Sequence, residues 1–168
     1  ADLESAASGI VRSAFGLSGQ KCSALSRLYV DERVADKLLI LLKQNMADIR
    51  IGNPLDRVNW LGPVNNAPAY QQYQQCVLDL QNSGAVLHAG GALVQEGDCE
   101  RGYYVSPVLA EVQHSHALWQ QELFLPILLM QRVGSRQQAM DLANDSPVGL
   151  TAGFYGGKDE VQWFHEHI

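Results

Sequence analysis

The sequence predicts an α/β domain with a mainly parallel sheet flanked by helices, and three observations carry that reading. Segments with apolar residues at i, i+3, i+4 and i+7 alternate along the chain with short apolar runs of strand length. Parallel neighbours need crossover connections of the kind these intervening helices supply. With 168 residues, 46% of them hydrophobic, the chain can bury one core. No internal repeat or low-complexity linker divides it, so residues 1–168 are expected to form a single domain.

The elements follow in order. In "DLESAASGIVRSAFG" the apolar residues Leu3, Ala6, Ala7, Ile10, Val11, Ala14 and Phe15 share one helical face, with Asp2 as N-cap and Gly16 as the stop. After the glycine turn, "LSRLYV" reads as a short buried strand. Asp31 caps the next helix, "DERVADKLLILLKQNMADI", packed through Val34, Leu38, Leu41 and Leu42. "GNPLD" is turn chemistry. "NNAPAYQQYQQCVLDLQNSG" is a helix with Pro68 in its first turn, and Tyr70, Tyr73, Val77 and Leu80 on one face. Cys76 falls beside that face, in the core. Strands are expected at "AVLHAGG", "YYVSPVLAEV" and "ILLMQRV", then a helix at "SRQQAMDLAND", a strand at "GLTAGFYGG" and a last helix starting near Lys158. Ala1 stands where an initiator methionine would. The apolar face of the last helix, Val161 and Phe164, is still running at Ile168, so the chain reads as part of a longer protein.

Composition narrows the function. The formal charge of −6, with no Lys/Arg cluster, gives no footprint for nucleic acid or for an anionic membrane surface. No apolar run approaches the roughly 18 residues of a bilayer span, and no signal-peptide pattern opens the chain. A cytoplasmic chain is expected, or one of the mitochondrial matrix if the source is eukaryotic. Cys22, Cys76 and Cys99 are odd in number, far apart and without C-x-x-C pairing, which suggests neither a disulfide framework nor a zinc knuckle.

Cys22, in "FGLSGQKCSALSRLYV", is the sharpest chemical candidate. A thiol attacks as thiolate, favoured by nearby cations and by N–H groups aimed at the sulfur. Lys21 and the "SGQK" turn can supply both, and the backbone N–H of Cys22 can stabilise an oxyanion. A cysteine beside an apolar run is also a common small core residue, and spacing leaves both readings open. His114 with His116, and His165 with His167, invite a metal reading. An i, i+2 pair shares a face on a strand but not on a helix, and neither pair has a third ligand nearby, so no metal site is expected. "GLSGQ" around Ser18 lacks the glycine that a nucleophile elbow needs two residues before its serine. The glycines of "HAGGALVQEG" fit neither G-x-G-x-x-G nor a P-loop. Glu122, in "WQQELFLPI", reads as a solvated loop acid on spacing alone.

Together these segments resemble the catalytic domain of the NAD(P)-dependent aldehyde dehydrogenase superfamily, in order and over essentially the whole chain. The family's G-Q-x-C-x-A-x-S-R pattern is matched by Gly19, Gln20, Cys22, Ala24, Ser26 and Arg27. Its "GNP" turn is matched by Gly52, Asn53 and Pro54, and its following "GP" by Gly62 and Pro63. Its E-[IL]-F-G-P motif is matched by Glu122, Leu123, Phe124 and Pro126, with Leu125 standing where the family has glycine and adding bulk there. Its "N…YGLTAG" region is matched by Asn144, Gly149, Leu150, Thr151, Ala152 and Gly153.

The resemblance implies that Cys22 attacks an aldehyde to give a thiohemiacetal, then a thioester that water hydrolyses, with NAD or NADP as cofactor. It implies that Glu122 hydrogen-bonds the nicotinamide ribose and that Phe124 packs near the nicotinamide. The stretch around Cys22 is most similar to the 1-pyrroline-5-carboxylate dehydrogenase branch, which oxidises glutamate semialdehyde. There the serine after the cysteine helps bind the substrate carboxylate, which points to Ser23. The family's general-base glutamate, oxyanion-hole asparagine and dinucleotide-binding domain precede the matched segment. Its substrate-anchoring loop and oligomerisation strands follow it. The isolated chain is therefore expected to be inactive and the complete enzyme a homo-oligomer. Two alternatives stand beside this reading: a non-catalytic remnant that acts as a binding or assembly module, and a cofactor-independent thiol esterase using the same cysteine.

Overall fold

In the computed structural model, which describes residues 2–168, the chain forms a four-stranded sheet with helices on both faces. Helix α1 (Leu3–Phe15) starts on Asp2, whose carboxylate accepts from the Glu4 and Ser5 amides. Strand β1 (Arg27–Asp31) runs straight into α2 (Glu32–Ala47), because Asp31 ends the strand and also caps the helix through the Arg33 amide. Helix α3 (Ala67–Asn82) is capped by Asn66 and carries proline in its first turn. There follow β2 (Val86–Ala89), β3 (Val108–Glu111), β4 (Ile127–Val133), α4 (Arg136–Asn144) on its Ser135 cap, and the short α5 (Val161–His167).

The strand order is β1-β4-β3-β2. β4 pairs in parallel with both β1 and β3, and only the β2–β3 pair is antiparallel, so the sheet is mainly parallel as expected. β4 is the hub. Leu128 and Met130 face α1 and α2, alongside Leu109 and Val30. Ile127 and Leu129 face α3, alongside Val108, Ala110 and the fully buried Trp119. This two-sided burial is why the strand reads as a continuous apolar run rather than an alternating one.

Two expectations need correction. The strand expected across "YYVSPVLAEV" forms only over Val108–Glu111, because Pro107 has no N–H to give a ladder; upstream, only a single bridge joins Val105 to Leu93. "GLTAGFYGG" forms no strand. It alternates as a strand should, but a strand exists only where a neighbour takes up its backbone groups, and residues 149–157 reach neither edge of the sheet. Instead the segment's Tyr155 packs on α1. Gly9 leaves a notch for Tyr155: a Cβ there would stand 3.1 Å from the Tyr155 Cζ and collide with its hydroxyl.

Charge is concentrated where β2, β3, β4 and α2 meet. Glu111 accepts from Arg132 Nε at 2.8 Å and lies 2.8 Å from His88 Nε2, while Arg132 Nη1 reaches Asp36 at 2.6 Å. Burial raises the Glu111 carboxyl, but the hydrogen bonds from Arg132 and His88 outweigh it and hold the group below its ordinary range. A carboxylate held low in the folded state adds stability above its ordinary value, and that stability is lost as pH falls through the folded value. Urea unfolding followed below about pH 4.5 should therefore show wild-type stability dropping with acid and Glu111→Gln flattening that slope; equal slopes would contradict the network. Leu128 is fully buried at the centre of β4. Leu128→Ala should lower the unfolding free energy by about 3 kcal/mol, whereas truncating the exposed Ile40 should change it by less than about 0.5 kcal/mol.

Candidate functional site

After Phe15 the chain leaves α1 through a left-handed turn, with φ of 56° at Leu17, 56° at Ser18 and 69° at Gly19. Residues with a Cβ pay about 1–2 kcal/mol each in that region, so the turn persists only if neighbours hold it. The Ser18 hydroxyl donates to the Gly62 carbonyl at 2.9 Å, and Ser18 is the buried polar residue of the described chain, 4% exposed. Gly19 lies so close to the next segment that a Cβ would stand 2.6 Å from the Leu125 carbonyl carbon and 2.9 Å from the Pro126 nitrogen. The Gln20 side-chain oxygen accepts from the Asn65 amide at 2.9 Å.

The chain then turns again. The Ala24 amide donates to the Lys21 carbonyl at 3.0 Å, which puts Cys22 and Ser23 at the two corners of a tight turn, both exposed. The Lys21 ammonium folds back over Gly16, 3.5 Å from where a Cβ on that glycine would be. The Leu25 amide returns the chain to α1 by donating to the Ser13 carbonyl, and Leu129 donates to the Ser26 carbonyl as the β1–β4 ladder begins. Arg27, the last residue of the cysteine motif, donates to the Ser146 hydroxyl and to the Val148 carbonyl at 3.3 Å, tying in the segment after α4.

Glu122 to Pro126 runs into β4 with alternating directions: Leu123 and Leu125 are buried, Glu122 and Phe124 exposed. Phe124 is a non-glycine residue at φ 55° and is 44% exposed. Leu125, which replaces the glycine of the resembled motif, sends its side chain into the α3-side core at 4% exposure, so its bulk leaves the surface that Phe124 faces. Because β1 and β4 are parallel neighbours, the loops entering them emerge at the same end of the strands, which forms one rim-like edge of the sheet. Cys22, Ser23, Glu122 and Phe124 are thereby brought to one edge from two loops that touch at Gly19.

The three thiols differ by environment. Burial, helped by Asp79, pushes Cys76 up to about 11, and burial with Asp98 also raises Cys99. Both are inside and weak as nucleophiles, while Cys22 is in solvent. Two depressions are lined by none of Cys22, Ser23, Glu122 and Phe124. One of about 220 Å³ is lined by Arg12, Asp48 and Trp60 among others, and one of about 290 Å³ lies between the end of α2 and Gly90–Pro107.

The histidines have ordinary partners. His114 contacts the Tyr29 hydroxyl at 3.2 Å and Asp145 at 3.1 Å, whereas His116 Nδ1 accepts from the Leu118 amide. His165 and His167 are on α5, and His167 stacks on Trp163. Among the described residues no group of three or more His, Cys, Asp or Glu stands close enough to hold a metal ion. Sequence reasoning weighed Ser18 only as a nucleophile and missed its structural bond. The available signal was a polar residue between Leu17 and Gly19, in a turn too tight to leave its hydroxyl in water.

Comparison with known proteins agrees with this architecture. The family model described as "Aldehyde dehydrogenase family" matches residues 1–168. A 1-pyrroline-5-carboxylate dehydrogenase of Geobacillus sp. is 35% identical over 152 residues, covering 90% of this chain and 28% of the relative. The structure of a 1-pyrroline-5-carboxylate dehydrogenase from Thermus with bound NAD superimposes with a TM-score of 0.91 at 32% identity, covering 99% of this chain and 32% of that one. Betaine aldehyde dehydrogenase from Staphylococcus aureus, in complex with NAD+, gives 0.96 at 26% identity, covering 100% of this chain and 34% of that one. The chain spans about a third of the length of these relatives, and over that length its fold, its ordered motifs and its full-length family match agree: it belongs to the aldehyde dehydrogenase family.

Proposed function

We propose that this chain is the cysteine-bearing part of an NAD(P)-dependent aldehyde dehydrogenase catalytic domain, with Cys22 as nucleophile and glutamate semialdehyde as the aldehyde. The supporting observation is the convergence of the Cys22 turn and the Glu122–Phe124 segment at one edge of two parallel strands. Similarity to 1-pyrroline-5-carboxylate dehydrogenases, at 35% identity for one of them, supports the substrate class.

The chemistry follows from the residues. The Cys22 sulfur, at an exposed corner, adds to the aldehyde carbon to form a thiohemiacetal; oxidation at that carbon leaves a thioester on Cys22, and water releases the carboxylate. The N–H of Cys22 is the donor for the developing oxyanion. Ser23, at the adjoining corner, is a hydroxyl donor suited to the substrate's carboxylate. The residues at this edge suit a nicotinamide dinucleotide: Glu122 offers an exposed carboxylate for ribose hydroxyls, and Phe124 an exposed aromatic face. Bound there, that cofactor supplies the hydride acceptor. Leu125, anchored in the core, fixes the backbone from which both residues project.

We further propose that the chain is a partial catalytic domain whose complete enzyme is a homo-oligomer, and that these residues alone do not turn over. A thioester without a positioned base hydrolyses slowly. The 168-residue chain with glutamate semialdehyde and either NAD or NADP should give no reduced cofactor, by absorbance, above a Cys22→Ala control; turnover above that control would overturn the incompleteness. Iodoacetamide followed by peptide mass spectrometry should label Cys22 well ahead of Cys76 and Cys99, and glutamate semialdehyde should slow that labelling by occupying the sulfur. Labelling of Cys22 no faster than of the two buried thiols would favour a non-catalytic remnant.

A further inference from the structure

We infer that Ser18 is a positioning residue for Cys22: its hydroxyl locks the left-handed turn that presents the thiol, and so ties the nucleophile to the Gly62–Asn65 loop. The inference rests on the reading of Cys22 as nucleophile and adds a residue to which the motifs give no role. Ser18 lies four residues before Cys22 and is 4% exposed, with its hydroxyl donating to the Gly62 carbonyl at 2.9 Å. Its φ of 56° is unfavourable for a residue with a Cβ, as is the same angle at Leu17. The strained turn is therefore kept by its contacts, and Ser18 supplies its buried polar one.

The neighbouring ties run in the same direction. Gln20 accepts from Asn65, so two bonds, two residues apart, fasten the turn to one loop. Gly19 between them closes against Leu125 and Pro126. If the Ser18 bond is lost, the turn can relax toward right-handed backbone. Gly19 then moves off Leu125, and Cys22 moves relative to Glu122 and Phe124. The Gly62 carbonyl, on a partly buried residue, would lose its Ser18 donor in the same change.

Ser18→Gly separates the bond from the strain. Glycine takes φ near 56° at no steric cost, so this variant loses the hydroxyl while relieving the backbone. Ser18→Asn keeps a donor on a residue that tolerates left-handed backbone. We expect Ser18→Gly to slow iodoacetamide modification of Cys22 by about fivefold, the factor one ordinary hydrogen bond supports, with Cys76 and Cys99 still protected and the thermal midpoint little changed. Ser18→Asn should recover most of the rate. General unfolding would expose Cys76 and Cys99, which separates it from a displaced Cys22; their labelling in Ser18→Gly would make the residue merely structural and overturn the inference. A Cys22 rate unchanged in Ser18→Gly would overturn it too, while leaving the nucleophile reading intact if the wild-type chain still labels Cys22 selectively. A wild-type chain that does not label Cys22 selectively would overturn both.

Discussion

Position 19 admits no side chain, because the Leu125 carbonyl and the Pro126 nitrogen fill the space where one would begin. That contact joins two loops separated by more than a hundred residues, and the rest of the edge is arranged around it. For Gly19 to reach Leu125, β1 and β4 must be parallel neighbours, which requires the intervening chain to cross over and supply α2, α3 and β3. In the left-handed turn there, Ser18 is buried and bonded to the Gly62 carbonyl. For Phe124 to stand in solvent beside it, Leu123 and Leu125 must be drawn into the α3-side core. The family's short motifs thus constrain one another physically as well as by order.

β4 carries the energetic side of the same arrangement. It is buried on both faces, and each face belongs to a different half of the core. The α1–α2 half fixes the helix from which the Cys22 turn departs. The α3 half, with Trp119 stacked on Tyr29 at 5.1 Å, fixes the segment that bears Glu122 and Phe124. The register of the β1–β4 ladder, Arg27 opposite Leu129, sets how far the two loops overlap.

Much of this was legible in the residues. Capping side chains at Asp2 and Asp31 announce helices, since an orphan amide at a helix start needs a local acceptor. The apolar run of β4 announces a strand covered on both sides. What could not be read was tertiary. "GLTAGFYGG" carries strand-like alternation, yet whether it becomes a strand depends on a neighbour, not on its own pattern. Ser18 was visible, but its burial follows from Gly62, forty-four residues away. Cys22 stood out because its flanking residues form a dense motif. Glu122, a lone acid on spacing, drew a role only from its match to the family motif; that it stays exposed while Leu123 beside it is buried belongs to the fold.

Leu125 has a consequence in the unfolded chain as well as the folded one. A glycine at that position would leave the denatured segment free to sample both halves of backbone space, and folding would have to remove that freedom. Leucine removes it in advance, a difference of about 0.4–1 kcal/mol where the native backbone is compatible. The loop that carries Phe124 therefore loses less conformational entropy on ordering than the same loop with the motif's glycine at that position would.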